Sequence, residues 1–346
     1  MKKILAMLLA LVMILSLAAC ASTPAADTPA ESTSTTETPV TETPASAEET
    51  PAVDGKTYTV GVCQLVQHEA LDAATQGFVD ALTEELGDAV TIDVQNASGD
   101  SVNCGTIVNG FVSRGVDLIM ANATPALTAA VSATADIPIL GTSITAYGVA
   151  LDLDDFNGTV GGNVSGTSDL ADLQKQAQMI LDWFPETKNV GLLFCSAEPN
   201  SRYQIDEVRK ALEAQGVTCE EFAFTDSNDV SSVTQKAADF SDVVYIPTDN
   251  TAASNTEAIA NVLIPAGVPA ICGEEGLCRG CGVATLSISY YDLGVTTGKM
   301  AAKILKGEAG ISEMPVEYTD ATPKYNASIC DQLGITPLDG YEAIDG

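Results

Sequence analysis

Tyr58-Thr-Val-Gly-Val-Cys-Gln64-Leu-Val66 is followed by Gln67-His68-Glu-Ala-Leu71-Asp72-Ala-Ala74-Thr-Gln-Gly-Phe78-Val-Asp-Ala81-Leu82-Thr-Glu-Glu-Leu86, and this pair of segments decides the fold. The first is a nearly unbroken apolar run with β-branched residues, the pattern of a strand buried on both faces. In the second, Leu71, Ala74, Phe78, Ala81, Leu82 and Leu86 recur at helical spacing. The same alternation continues. Strands are predicted over 90–96, 117–123 and 138–142, with helices over 102–114 (Asp100 or Ser101 as N-cap) and 125–134. After a glycine-rich, irregular stretch at 157–166 the cycle restarts. Helices are predicted over 170–183, 202–215, 230–240 and 252–264, and strands over 189–195, 218–224, 242–248, 269–272 and 284–288. A long helix over 291–305 and late strands over 316–318 and 325–329 close the chain. Strands alternating with helices imply parallel sheets with crossover connections. The predicted class is α/β: two Rossmann-like lobes with parallel sheets.

Working outward, the chain has 346 residues, with 47 Asp+Glu against 15 Lys+Arg and a net charge of −32. Such acidity excludes nucleic acid as a partner, because phosphates are repelled. It also excludes a basic patch for anionic lipid. A single histidine, His68, excludes histidine-rich metal sites. Met1-Lys2-Lys3 followed by the apolar run 4–17 reads as an export signal, since the run is shorter than the roughly 20 residues a membrane span needs. Leu17-Ala-Ala-Cys20 resembles the bacterial lipobox, which implies cleavage before Cys20 and a lipid on its sulfur. Residues 21–55 hold seven acids, no base and almost no apolar residue beyond alanine. No core can form there, and the repeated Thr-Pro steps favour an extended tether. The divisions are thus a signal peptide over 1–20 and a Thr/Pro/Glu-rich tether over 21–55. One lobe takes 57–165 plus 286–312, and the other takes 166–285 plus 313–340.

In open α/β sheets, ligands sit beyond the carboxyl ends of the strands. That rule selects Gln64, His68 and Asp72 after the first strand, Thr124 after the third, and Thr142 with Ser143 after the fourth. In the second block it selects Asn200, Ser201, Thr248, Asp249, Asn250 and Glu274, and Tyr290 where the chain crosses back. Thr124-Pro125, Asn200-Ser201 and Asp249-Asn250 open helices, whose free N–H groups suit a ligand carboxylate. Plain capping is the competing role. Asp72, Asp249 and Glu274 are the acids placed to take a ligand ammonium, Asp249 first among them. His68 is a donor, and Tyr290 offers a ring face.

Catalysis and cofactors have no support. There is no glycine-rich nucleotide motif, no phosphate loop, no nucleophile elbow and no metalloprotease helix. Cys278-Arg-Gly-Cys281, with Cys272 six residues earlier, has redox spacing but sits in a predicted loop flanked by Gly280 and Gly282. Three cysteines are too few for a zinc site. A local disulfide or free thiols both fit, and a thiol oxidoreductase is the minor alternative. Cys63, Cys104 and Cys195 fall on core positions.

The stretch 60–74 resembles the opening of ABC-transporter substrate-binding lipoproteins of the type I periplasmic-binding fold, in the branch that includes tryptophan- and other aromatic-amino-acid-binding proteins. The resemblance continues through Ala123-Thr124-Pro125, Ser165-Gly-Thr-Ser-Asp169, Glu198-Pro-Asn-Ser201, Tyr245-Ile-Pro-Thr248-Asp249-Asn250, Gly273-Glu274-Glu275 and Tyr290-Tyr-Asp-Leu-Gly294, and covers about 57–337. It implies two lobes joined by a three-strand hinge and closing on a ligand, with crossovers near 163–169, 286–290 and 310–318. It also implies a small amino-acid-like ligand, ABC permease subunits as partners, no cofactor, and a lipid-anchored place on the outer face of the bacterial cytoplasmic membrane. Two departures stand out: Gln67-His68-Glu69 where relatives often have Glu-His-Pro, and the cysteine cluster. The alternative reading is an extracellular sensor domain that docks on a receptor kinase.

Overall fold

The computed structural model describes residues 55–344, so the expected signal segment, Cys20 and all of the tether but Gly55 lie outside the described residues. The first sheet is built from β1 (Tyr58–Gln64), α1 (Glu69–Leu86), β2 (Val90–Asn96), α2 (Ser101–Arg114), β3 (Leu118–Asn122), α3 (Thr124–Ala133), β4 (Ile139–Ile144), α4 (Tyr147–Ala150) and β5 (Val164–Ser168). The second follows with α5 (Leu173–Trp183), β6 (Asn189–Cys195), α6 (Pro199–Glu213), β7 (Thr218–Phe224), α7 (Val230–Phe240), β8 (Val243–Ile246), α8 (Asn250–Ala253), α9 (Thr256–Ala266), β9 (Ala270–Cys272), α10 (Glu275–Cys281) and β10 (Ala284–Ser287). The tail adds α11 (Tyr290–Leu305), β11 (Glu317–Tyr318), β12 (Thr322–Tyr325), α12 (Ala327–Leu333) and β13 (Glu342–Ala343).

Strand order is β2-β1-β3-β4-β5-β11 in one sheet and β7-β6-β8-β9-β10-β12-β13 in the other. Every pairing is parallel except β10 with β12. Both orders reverse direction beside their first strand, which opens a crevice at the carboxyl ends of β1/β3 and of β6/β8. Each sheet is covered on both faces, which is why its central strands are apolar throughout. Phe111 and Leu127 cover one face of the first sheet, and Phe78, Leu82 and Met300 the other. Ile180, Ile205 and Leu212 cover one face of the second sheet, and Val230, Ile259 and Leu277 the other.

The chain passes between the sheets three times: after β5, between β10 and α11, and between β11 and β12. The last passage corrects the expected boundary at 313. Glu317 and Tyr318 pair with Thr167 and Ser168 of the first sheet before the chain leaves it. The irregular reading of 157–166 hid β5, a fully buried strand of sequence Val-Ser-Gly-Thr-Ser with one apolar side chain. The predicted helix 252–264 is two helices, broken at Ser254-Asn255. The predicted strand 325–329 ends at Tyr325, where Asn326 accepts from the N–H of Ile329 (3.1 Å) and starts α12. The predicted loop carrying Cys278 and Cys281 is helix α10, and all eight described cysteines are free thiols.

Helices α1 and α11 approach backbone to backbone. A Cβ on Gly77 of α1 would stand 2.1 Å from the carbonyl oxygen of Tyr291, and one on Gly294 of α11 would stand 2.0 Å from that of Ala74. Only glycine permits this reciprocal contact. We expect Gly294→Ala to destabilise the protein by about 1–3 kcal/mol through overpacking. Thermal unfolding should register this as a Tm lowered by about 2–4 °C per kcal/mol.

Candidate ligand-binding cleft

Twelve residues from both lobes converge where the strand ends face each other. They are His68, Leu71, Ser143, Thr145, Asp169, Asn200, Thr248, Asp249, Asn250, Ala253, Glu274 and Tyr290. The space enclosed among them is about 10 Å³, the room of a single water, so the walls stand close together. Eight of these residues were selected from the sequence. Five other selected residues do not line the space. Gln64 donates to Asp72 (2.6 Å) and accepts from Thr75 (2.6 Å), which ties the end of β1 to α1. Thr142 meets Thr167 (3.1 Å) inside the sheet. Ser201 donates to Asp249 (2.8 Å). Thr124 is buried in the first turn of α3 and does not line the space. Asp72, exposed on α1, does not line it either.

The second lobe's wall is organised by two carboxylates. Glu198 accepts from the N–H groups of Asn250 (3.0 Å) and Thr251 (2.8 Å), the amide of Asn250 (2.7 Å) and the hydroxyl of Thr251 (2.8 Å). Holding Nδ2 of Asn250 turns its Oδ1 toward His68 Nε2, 3.3 Å away across the cleft. That contact selects the tautomer protonated on Nε2. Burial lowers the His68 pKa, against the opposing pull of Asn250 and of Glu198, so the ring is neutral at pH 7. Asp249 accepts from the N–H groups of Cys195 (2.6 Å) and Ala252 (2.8 Å) and from Ser201. Both its oxygens are engaged, so it is a cap for α8 and a brace for β6. The capping role weighed from sequence is the one the geometry supports. Glu274 likewise caps α10 by accepting from Gly276 (2.6 Å) and Leu277.

Other atoms in the wall are left open. Asn200 spends its amide group on the carbonyl of Thr248 (3.0 Å) and on Glu198 (3.2 Å), and its buried Oδ1 has no partner among the described residues. Asp169 accepts from the Tyr290 hydroxyl (2.8 Å) through Oδ2, and its buried Oδ1 is also unpartnered. Burial raises the Asp169 pKa, against the stabilising bonds from Tyr290 and Thr145. The Ser143 hydroxyl is a third open group, on a residue at φ 56° where β4 shifts register beside β5. That strained conformation of a non-glycine residue aims Ser143 into the cleft. Leu71, Thr145, Asp169 and Ala253 line the site without having been selected. For Asp169 a usable signal existed, because it directly follows β5 and the strand-end rule finds it once that strand is recognised. Glu198 lies in the stretch after β6 that the rule covers, but its supporting role has no signal there.

The two lobes touch across the mouth of the cleft. Besides His68 and Asn250, Arg279 of α10 pairs with Glu69 of α1 (3.0 Å) and with Glu275 (2.8 Å). Two βαβ lobes linked by three crossovers, with a polar cleft bridged at its mouth, define a ligand-trapping receptor. The comparisons agree. Residues 59–340 match the family described as ABC transporter substrate binding protein, and the chain belongs to that family of solute-binding proteins. It is 33% identical over 284 residues to a tyrosine-binding protein of Clostridioides difficile (strain R20291), covering 80% of this chain and 81% of the relative. Among solved structures it is similar to an ABC domain from Streptococcus pneumonia in complex with L-Trp, at 33% identity and TM-score 0.79, covering 84% and 100% of the two chains. It is also similar to a substrate-binding protein with adhesive properties from Clostridium difficile in its ligand-free, open form, at 34% identity and TM-score 0.64, covering 84% and 99%. The identities are alike while the scores differ, as expected when one relative has its lobes swung apart. The present arrangement is the closed one.

Burial makes two further acids of the wall titrate high. The Asp249 carboxyl is pushed up to about 8 by burial and by the neighbouring Glu198, and that of Glu274 to about 7 by burial and by Glu69 and Glu275. Both bind protons more tightly folded than unfolded, where they titrate near 4. Their contribution to stability is complete below about pH 4 and is lost as the pH rises through 7 and 8. Melting of the ligand-free protein at about pH 5.5 and about pH 8.5 should therefore give the higher Tm at the lower pH. The gap should narrow in Glu274→Gln.

Proposed function

We propose that the cleft captures an aromatic L-amino acid on the outer side of the membrane and delivers it, without chemical change, to the permease of an ABC importer. The observation that carries this reading is the set of three buried, unpartnered polar atoms on the wall, Asp169 Oδ1, Asn200 Oδ1 and Ser143 Oγ. Two acceptors, one of them a carboxylate, suit a ligand ammonium, and a hydroxyl suits its carboxylate. Leu71, Ala253 and the ring of Tyr290 supply the apolar contact that an aromatic side chain needs. Relatives that are a tyrosine-binding protein and an L-Trp complex support the same class.

The position of Asp169 also links capture to closure. It lies in the first passage between the lobes and is bonded to Tyr290 at the start of α11, just after the second. A ligand ammonium on Asp169 stabilises the carboxylate at the point where the two hinge segments meet. Leu17-Ala-Ala-Cys20 and the acidic tether support a lipid anchor that holds the receptor beside its permease. The family match favours transport over the sensor alternative.

Calorimetry with the aromatic amino acids tests the ligand class, and heat from none of them would overturn it. Asp169→Ala should weaken the bound amino acid by roughly 10–150-fold, the worth of a charge-assisted hydrogen bond of about 1.5–3 kcal/mol. An unchanged affinity would remove Asp169 from the ammonium role. For the anchor, Cys20→Ser should release the protein from the membrane fraction in its source cell.

A further inference from the structure

Except at α3 and α4, whose first turns hold no acid, the helix starts around the cleft carry an acid of their own. Helix α1 begins with Glu69 and has Asp72 in its first turn. Helix α6 opens on Glu198 and Pro199, a carboxylate and then a residue without an N–H. The first N–H groups of α8 are taken by Glu198 and Asp249, and those of α10 by Glu274. Helix α11 has Asp292 in its first turn, with its N–H on Ser289. A helix N-terminus is the usual place for a ligand carboxylate, and here those ends face carboxylates of the protein. Among the described residues no lysine or arginine lines the space, and His68 donates to Asn250. Arg279, in the adjoining mouth groove, pairs with Glu69 and Glu275.

The unpartnered groups point the same way. Asp169 and Asn200 are 6% and 5% exposed, and each presents an oxygen that only accepts. Ser143, 6% exposed, is the one open hydroxyl of the three. The open groups of the cleft thus present two acceptors to a cation and a single hydroxyl to a carboxylate.

Building on the amino-acid reading above, we propose that recognition rests on the ammonium group, and that the cleft also binds aromatic amines that lack an α-carboxylate. Losing one hydrogen bond from a hydroxyl to a carboxylate, worth about 1.5–3 kcal/mol, costs roughly 10–150-fold, and relief from the surrounding acids brings the loss toward the lower end. The test is calorimetry on the full chain with three probes for each ring: L-tyrosine, tyramine and 3-(4-hydroxyphenyl)propionate, and likewise L-tryptophan, tryptamine and 3-indolepropionate. For the ring whose amino acid binds, the expected result is an amine less than thirtyfold weaker than its amino acid, with the propionate weaker than the amine. An amine weaker by more than thirtyfold, or a propionate that matches or exceeds it, overturns the inference while the amino-acid reading stands. Absence of heat from both amino acids and both amines overturns the two together.

Discussion

Where Gly77 meets the carbonyl of Tyr291 and Gly294 meets that of Ala74, helices from opposite ends of the folded chain run backbone against backbone. Much else hangs on this contact. Helix α1 begins right after His68, and α11 begins with Tyr290, so the joint sets both residues at the cleft from one rigid pair. It also anchors the chain as it returns from the second sheet. The crossover before α11 is therefore short and defined, and Tyr290 can reach Asp169 in the neighbouring crossover. Side chains larger than hydrogen would separate the helices and move both walls.

The alternation of strands and helices was legible because a doubly covered parallel sheet demands apolar strands, and most of its strands are apolar. The fold failed to show where that demand is met by other means. Val164–Ser168 is buried through small and hydroxyl side chains, with Thr167 bonded to Thr142 and Thr297 and Ser165 to the carbonyl of Met314. A strand made that way has no hydrophobic signature, and missing it hid Asp169. Asn326 misled in the opposite sense, as a capping residue read inside a strand. At the cleft, residue type and position after a strand were readable, whereas hydrogen-bond partners were not. Asp249 and Asp169 are both acids at the ends of β-strands. The first spends both oxygens on the protein and the second keeps one open, and only the folded arrangement separates them.

The net charge of −32 is usually read as a property of the surface. Here part of it is internal and organised. Glu198, Asp249 and Glu274 replace water at backbone N–H groups that would otherwise be stranded when the lobes close. The walls are thereby rigid, and one set of side chains supplies both the scaffold and the polar surroundings that a ligand meets.

The eight free thiols among the described residues carry a consequence for a protein that works outside the cytoplasm. All are buried, and burial pushes Cys195, Cys219 and Cys330 up to about 11, far from the thiolate form that oxidants attack. For these three the native fold thus acts as a protecting group. An unfolded chain in an oxidising compartment exposes them together, free to cross-link in combinations the folded structure has no room for. For this receptor the race during export is between folding and oxidation, and any substitution that slows folding also widens the window for chemical damage.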